Sequence, residues 1–126
     1  MHHIKTEDAP PPAGHYSQGV AHNGLLFVSG QLPIDPHAGD QHIGSIEDQT
    51  RQVLENVAAI LRAGGATLGD VLKVTVYVSD IDLWGQVNQV YAEFFGEHRP
   101  ARAVVPSRDL HHGFQIEIEA VAAVEN

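Results

Sequence analysis

Strict alternation of apolar and polar residues near the C-terminal end is the feature that most constrains the fold. Between residues 114 and 120 every second side chain is apolar, and those between them include Glu117 and Glu119. Because successive side chains of a β-strand point to opposite faces, this pattern predicts a strand with one face in a core and two carboxylates on the other. The carboxylate face becomes apolar again at Val121 and Ala123, so we expect another surface, such as a second subunit, to cover it.

Turn and cap residues divide the first half of the chain. The AsnGly pair at 23–24 favours a tight turn, so residues 15–21 and 25–30 are predicted as the two arms of a β-hairpin. Ser45, followed three residues later by an acid, resembles a capping box, and the glycine pair at 64–65 favours a helix end. Apolar residues recur at helical spacing between these two signals, which predicts an amphipathic α-helix.

The second half has a strand and a helix before the final strand. Residues 71–79 alternate, with Leu72 predicted on the apolar face, and Asp82 is expected to cap a second helix. The order β-β-α-β-α-β predicts an α+β fold in which one sheet carries both helices on one face. At 126 residues the chain is expected to form a single domain, 1–126, with a core of its own.

Composition argues against several classes of protein. Sixteen acidic residues against seven basic ones give a net charge of −9, which argues against an electrostatic nucleic-acid binder; the only basic cluster is Arg99, Arg102 and Arg108. The chain has no cysteine, which excludes disulfides and thiolate catalysis. It also lacks an apolar run long enough to span a membrane and an apolar signal-peptide core. We therefore expect a cytoplasmic protein.

An arginine in an apolar extended run is the best candidate for a ligand-binding group. Pro100 favours an extended backbone before it, and Arg102 follows within AlaArgAlaValVal. A guanidinium is planar and always charged, which suits a carboxylate ligand. We expect Arg102 to come from a strand that neighbours the one carrying Glu117 and Glu119, and to form a candidate site with these carboxylates. The alternative is an ordinary cross-strand ion pair on an exposed sheet face.

Several separate segments carry motifs that occur together in one known family. They are TyrSerGlnGlyVal (16–20), SerGlyGlnLeuPro (29–33), the predicted helix segment 49–61, LysValThrValTyrValSerAsp (73–80), the predicted helix segment 87–95, ProAlaArg (100–102) and IleGluIleGluAlaValAla (116–122). In sequence, order and spacing they resemble the RidA family, which is also called YjgF/YER057c/UK114 and has the older name L-PSP endoribonuclease. The resemblance covers nearly the whole chain.

The resemblance implies a chorismate-mutase-like α+β fold assembled as a homotrimer, in which the subunits' sheets form a central barrel and the active sites lie in clefts between subunits. It also implies an enamine/imine deaminase. Such a hydrolase converts reactive 2-imino acids such as 2-iminobutanoate and 2-iminopropanoate, or their 2-aminoacrylate-type tautomers, to 2-keto acids and ammonia. It would detoxify these intermediates without a cofactor. Its partners would be the small-molecule substrate and other copies of itself, not nucleic acid or a membrane.

The same resemblance implies a set of site residues. Arg102 would bind the substrate carboxylate and Glu117 would orient the attacking water, with Glu119 as a secondary candidate. The other positions would line the pocket through their side chains (Tyr16, Ser29, Asn88) or their backbone N–H groups (Gly30, Val104). Two departures from the family concern substrate choice. Val104 occupies the family's cysteine position, and the loop before Pro100 is shorter than in the best-studied members.

Two other functions stay open. The same pocket without catalysis would give a carboxylate-binding or sensor protein that retains 2-keto acids and needs Arg102 but not Glu117. A ribonuclease is less consistent with the acidic balance and the lack of a clear histidine pair for phosphodiester cleavage. Adjacent His111 and His112 are weak metal ligands, because neighbouring side chains of an extended segment point apart, and we predict no metal site.

Overall fold

The computed structural model of the protein describes residues 1–125, and its six β-strands form one sheet. In chain order they are β1 (His2–Ile4), β2 (Gly19–His22), β3 (Leu25–Gln31), β4 (Val71–Val78), β5 (Ala101–Pro106) and β6 (Ile116–Ala123), with helix α1 (Ile46–Ala63) before β4 and helix α2 (Trp84–Phe95) before β5. The sheet order is β1-β2-β3-β6-β4-β5, and β4 and β5 are the one parallel pair in the described chain. No helix among these residues is long and apolar enough to cross a membrane. The predicted domain end at residue 126 lies just outside them.

The α+β class, with one sheet and two helices, is confirmed, but the predicted strand order is incomplete. Buried residues of α1 and α2 form one core with the buried alternate residues of the sheet. The predicted order omitted β1, which has only three residues and therefore offers no alternation to detect. It also counted one strand after α2 where there are two, β5 and β6. β5 lies at the sheet edge, beside and parallel to β4.

The predicted hairpin consists of β2 and β3 joined by a turn at Asn23 and Gly24. Both turn residues have positive φ, 51° and 80°, which is the combination required by a two-residue turn that matches the strand twist. The first arm is shorter than predicted, because β2 begins at Gly19. Tyr16 therefore lies in the loop before the hairpin and not in its first strand.

Local capping accounts for both ends of α1. The Ser45 hydroxyl accepts a hydrogen bond from the backbone N–H of Asp48 at 3.1 Å, as the capping motif predicted. The helix ends at Ala63, and Gly65 follows with φ +87°, a conformation that favours glycine. The apolar stripe of the helix is buried in the core and consists of Ile46, Val53, Leu54, Val57, Ala58 and Leu61.

Two side chains lie elsewhere than the sequence pattern predicted. Leu72, expected on the apolar face of β4, is 48% exposed, and Val71 takes its place in the core. A register shift against β6 between Val71 and Lys73 explains the exchange, since an irregular residue reverses which side chains face inward. Asp82 does not cap α2. Its backbone N–H instead donates to the Asp80 carboxylate, which begins a short 3-10 turn before the helix.

The helices cover one face of the sheet and leave the other open. The open face mixes apolar and polar side chains, and Phe27 on it is 47% exposed. Pairs that lie side by side on this face are Phe27 with Val121, Thr75 with Glu119, and Tyr77 with Glu117. A partly apolar face of this kind is suited to contact with another protein surface, as the sequence pattern of the last strand predicted.

Candidate active site

Residues of α2 hold Arg102 in a fixed orientation. On β5, Arg102 stands in register with Val74, so its side chain lies on the face that the helices cover. Its Nη1 donates a hydrogen bond to the side-chain oxygen of Asn88 at 3.0 Å. Its guanidinium carbon lies 4.6 Å from the ring centre of Trp84 and 4.7 Å from that of Tyr91. Two aromatic contacts and one hydrogen bond fix the planar group while its remaining N–H donors are left for a ligand.

The spacing of three residues along α2 creates this support. Trp84, Asn88 and Tyr91 are separated by four and three positions, so they lie on one side of the helix. Asn88 was expected here from the family resemblance, but Trp84 and Tyr91 were not predicted as site residues. Their helical spacing is visible in the sequence. Their contact with Arg102 is not, because it depends on how the helix packs against β5.

A cavity of about 450 Å³ lies beside Arg102. Its walls include the aromatic rings of Tyr91 and Phe95 and the side chains of His98 and Arg99. Burial raises the pKa of Tyr91, and the charge of Arg102 opposes that rise. The Tyr91 hydroxyl has no hydrogen-bond partner among residues 1–125. The cavity therefore combines aromatic walls with cationic groups.

Glu117 lies on the opposite face of the sheet. On β6 it stands in register with Tyr77 of β4, and it is partly buried. Burial raises the pKa of Glu117; the charge of His111 acts in the opposite direction, and the charge of Glu119 adds to the rise. A carboxylate with restricted hydration and a raised pKa is suited to act as a general base.

A β-bulge in β3 at Ser29 and Gly30 brings Gly30 beside Glu117. The register of β3 against β6 shifts within this segment, as happens where one strand has an extra residue. A Cβ atom on Gly30 would overlap Oε2 of Glu117, so glycine leaves the room that this carboxylate occupies. The Ser29 hydroxyl donates a hydrogen bond to the carbonyl of Ser17 at 2.6 Å. The bulge thus builds one wall of the Glu117 environment.

Tyr16 approaches the bulge from the loop before β2. Its hydroxyl accepts the backbone N–H of Ala13 at 3.2 Å, and its ring lines a cavity of about 260 Å³ together with Gly30 and His111. The loop is attached to the body by Gln18, whose buried Nε2 donates to the carbonyls of Thr6, Ala9 and Pro10. The sequence gives no signal for this role of Gln18, because a glutamine two residues from a tyrosine is equally compatible with a surface position.

Glu119 is bound by a neighbouring strand. The Tyr77 hydroxyl donates to Oε1 of Glu119 at 2.9 Å, and this hydrogen bond is the largest cause of the raised pKa of Tyr77. Glu119 therefore has a partner of its own within the open face. Its secondary role in the site stays a prediction.

Val104 lies on the same side of β5 as Arg102. It stands in register with Val76, and its side chain packs against the core. β5 is an edge strand, so one side of its backbone has no neighbouring strand within the protomer. A backbone contact from Val104 to a ligand stays a prediction that this edge position favours.

The predicted site residues form two groups in one protomer. The first lies on the helix-covered side and contains Arg102, Asn88 and Val104; the second contains Tyr16, Ser29, Gly30, Glu117 and Glu119. The expectation that Arg102 and Glu117 come from neighbouring strands is wrong, because β4 separates β5 from β6 and the two side chains occupy opposite faces. The alternative interpretation, an ion pair between Arg102 and Glu117 or Glu119, does not hold either, because no such pair forms among residues 1–125.

Most of the histidines are exposed, and His98, which lines the cavity beside Arg102, is half-buried. His111 and His112 have ring centres 6.1 Å apart in a 3-10 turn before β6, and His112 has a positive φ of 63°. In the part of the chain that the structure describes, no group of three or more His, Asp or Glu side chains is arranged to hold a metal ion.

Fold and site together define an α+β protein with an arginine beside a cavity on one side of its sheet and a partly buried glutamate on the other. The family model described as Endoribonuclease L-PSP matches residues 6–124. The chain belongs to this family, the RidA family that its sequence motifs resemble.

Individual relatives match over almost their whole length. A RutC family protein of Pyrococcus horikoshii is 52% identical over 122 residues, which are 97% of this chain and 97% of that protein. TdcF of Escherichia coli, whose name assigns it to the reactive intermediate deaminases, is 40% identical over 94% of each chain. The structure of TdcF with bound serine has a TM-score of 0.93 and covers 99% of this chain and all of that one. A structure from Thermotoga maritima, named as an endoribonuclease, has a TM-score of 0.94 at 48% identity and covers 100% and 99% of the two chains.

Proposed function

We propose that the protein is an enamine/imine deaminase that hydrolyses reactive 2-imino acids to 2-keto acids and ammonia. The observation that carries the proposal is the fixed guanidinium of Arg102, whose remaining donors stand beside a cavity and suit a planar carboxylate. Every 2-imino acid has a carboxylate next to its reactive carbon. The name of TdcF supports a deaminase reaction, and the serine bound in its structure supports a small ligand that carries a carboxylate.

The second half of the site comes from another protomer. Arg102 and Glu117 lie on opposite faces of one sheet, so a single chain does not present both to one ligand. If the open face of one protomer meets the β5 edge of the next, Glu117 of the first approaches Arg102 of the second. Repetition of such a head-to-tail contact closes a ring, and we propose a homotrimer with its open faces turned inward.

The reaction needs positioning and proton transfer only. Arg102 binds the carboxylate, and Glu117 accepts a proton from water as the water oxygen bonds to the C=N carbon. Glu117 then returns that proton to nitrogen, which gives a carbinolamine. Glu117 next transfers the hydroxyl proton of the carbinolamine to nitrogen, the C–N bond breaks, and ammonia leaves as the C=O bond forms. Holding water and imine together replaces a bimolecular encounter. General acid–base help of this kind contributes about 10²–10⁴-fold.

The test is a trapping assay with three substituted proteins. An amino-acid oxidase generates the imine, semicarbazide captures what is not hydrolysed, and less adduct means faster hydrolysis. We expect Arg102→Ala and Glu117→Gln each to lower kcat/KM by about 10²-fold or more. Arg62→Ala, which changes an exposed arginine at the end of α1, is the control and should behave as wild type. Full turnover by either site variant would refute the assignment.

A non-catalytic carboxylate-binding protein is the second candidate. It is favoured by one observation: the Arg102 pocket is formed within a single protomer, without any contribution from Glu117. Calorimetric titration with pyruvate distinguishes the two functions. Binding that persists in Glu117→Gln, together with no imine hydrolysis by wild type, would favour the binding protein.

RNA cleavage is a weaker third candidate, raised by the family description. The net charge of −9 opposes binding of a polyanion. An RNA-cleavage assay with Arg102→Ala as the control tests it, and cleavage that depends on Arg102 would revive this candidate.

A further inference from the structure

The cavity beside Arg102 has an excess of positive charge in an acidic protein. Arg99 and Arg102 both line it, and none of its described lining residues is Asp or Glu. The whole chain has only seven Lys and Arg against sixteen Asp and Glu. Two guanidinium groups beside one cavity are more than a single carboxylate needs, so the second one calls for an explanation.

The two arginines differ in their partners. Arg102 is fixed by Asn88 and by the rings of Trp84 and Tyr91. Arg99 is exposed and has no hydrogen bond, ion pair or ring contact with any other residue in the described chain. Its guanidinium therefore has all of its N–H donors available for an anion in the cavity.

The backbone keeps the two groups within reach of one small molecule. Arg99 and Arg102 are three residues apart, so their Cα atoms are at most about 10 Å apart. Pro100 restricts Arg99 to an extended backbone, which reduces the number of directions its side chain takes. Both side chains are long and border the same cavity, so together they match the two acid groups of a short dicarboxylic acid.

We propose that the site selects 2-imino acids that carry a second carboxylate, of the kind derived from aspartate or glutamate, with Arg102 binding the 2-carboxylate and Arg99 the distal one. The part that concerns turnover rests on the proposed deaminase function. The binding part does not, because the corresponding 2-keto dicarboxylate has the same two acid groups. The reaction itself is unchanged, with water added at the C=N carbon and ammonia released.

The expected size of the effect follows from the exposure of Arg99. An exposed ion pair contributes little binding free energy, and a charge-assisted hydrogen bond in a cavity contributes more. We therefore expect Arg99 to favour dicarboxylic over monocarboxylic substrates by about three- to tenfold in kcat/KM. The aromatic wall formed by Tyr91 and Phe95 is the competing influence, since it favours apolar side chains.

The experiment compares imines with and without the second acid group. D-Aspartate oxidase generates imines from D-aspartate and D-glutamate, D-amino-acid oxidase generates them from D-alanine and D-leucine, and semicarbazide trapping gives kcat/KM. In Arg99→Gln the ratio of dicarboxylic to monocarboxylic kcat/KM should fall by about three- to tenfold, and Arg99→Lys should keep most of the preference. Arg108→Gln, an exposed arginine outside this cavity, is the matched control and should keep the wild-type ratio.

A binding measurement separates this proposal from the proposed function. Calorimetric affinities for 2-oxoglutarate and pyruvate are compared in wild type and Arg99→Gln. If no imine is hydrolysed but the preference for 2-oxoglutarate is lost in Arg99→Gln, the deaminase proposal fails and this one stands. Suppose instead that monocarboxylic imines are hydrolysed, but Arg99→Gln changes neither the dicarboxylic-to-monocarboxylic ratio of kcat/KM nor the 2-oxoglutarate-to-pyruvate ratio of affinities. This proposal is then overturned and the deaminase proposal stands. The same conclusion holds if Arg108→Gln lowers these two ratios as much as Arg99→Gln does.

Discussion

The carboxylate of Glu117 is partly buried, so water has limited access to it. In water a carboxylate is a weak base near neutral pH, and the usual way to strengthen it is to reduce its hydration. Here that is done by β4 and β6 on its own sheet and by the bulge at Gly30, which packs against the carboxylate. Since burial raises the pKa of Glu117 above its ordinary 4.5, the base should be lost as the pH falls through that raised value.

Replacing His111 by Asn is expected to move the acidic limb of the activity profile to higher pH. The charge of His111 favours the ionised form of Glu117 and so lowers the pKa of that carboxyl. Without that charge, Glu117 takes up its proton at higher pH. Tyr77 and Glu119, the other titratable groups that interact with Glu117, remain in both proteins.

The measurement for His111 is kcat/KM for imine hydrolysis from acidic to neutral pH. At each pH, the hydrolysis rate measured with the Arg102→Ala protein is subtracted from the rate of the tested protein, which removes the contribution of spontaneous hydrolysis. His112→Asn is the control, because His112 is adjacent to His111 and is not among the charges that shift Glu117. An acidic limb that is identical in wild type and His111→Asn would contradict the coupling.

At the scale of the elements, the bulge in β3 is the feature that shapes the surroundings of Glu117. It interrupts the regular pairing with β6 at Ser29 and Gly30, and Gly30 lies against the Glu117 carboxylate. A regular strand would continue the alternation and place a side chain where the carboxylate stands. The bulge and the glycine are therefore a single structural device, and a small substitution should test it.

Gly30→Ala is expected to lower imine hydrolysis by about 10²-fold, because the new Cβ displaces Glu117. Gly30 does not have a positive φ, so alanine meets no backbone strain there, and the overpacking should cost about 1–3 kcal/mol of unfolding free energy. Activity and thermal unfolding are measured together. Gly39→Ala is the control, since its added Cβ has no atom within 4 Å. Wild-type activity in Gly30→Ala would show that Glu117 does not need this room.

The sequence predicts elements well where a local signal decides them. The AsnGly turn, the Ser45 cap and the alternation of β6 each depend on neighbours in the chain, and each is found where it was expected. Leu72 was misplaced because a register irregularity depends on the partner strand, which the sequence of β4 does not contain. β1 was missed because three residues are too few to form a pattern.

At the scale of the whole molecule, the site depends on topology that the sequence does not specify. Arg102 and Glu117 are recognisable one by one, from an apolar run and a strict alternation. Their placement on opposite faces follows from the strand order, in which β4 separates β5 from β6 and fixes the register of both. No local pattern in the chain contains that order. A site that uses both residues, as we propose, would therefore need two protomers.

Mixing two inactive variants tests whether two protomers complete each site. Arg102→Ala and Glu117→Gln subunits, coexpressed in equal amounts, should regain about a quarter of wild-type activity, because a site needs an intact Arg102 from one protomer and an intact Glu117 from the other. Mixing Arg102→Ala with the double variant Arg102→Ala/Glu117→Gln is the control and should give none. Light scattering checks that every sample has the mass of a trimer. If both residues of a site came from the same protomer, each protomer would lack one of them and the mixture would stay inactive, so recovery of activity depends on the opposite-face arrangement of Arg102 and Glu117.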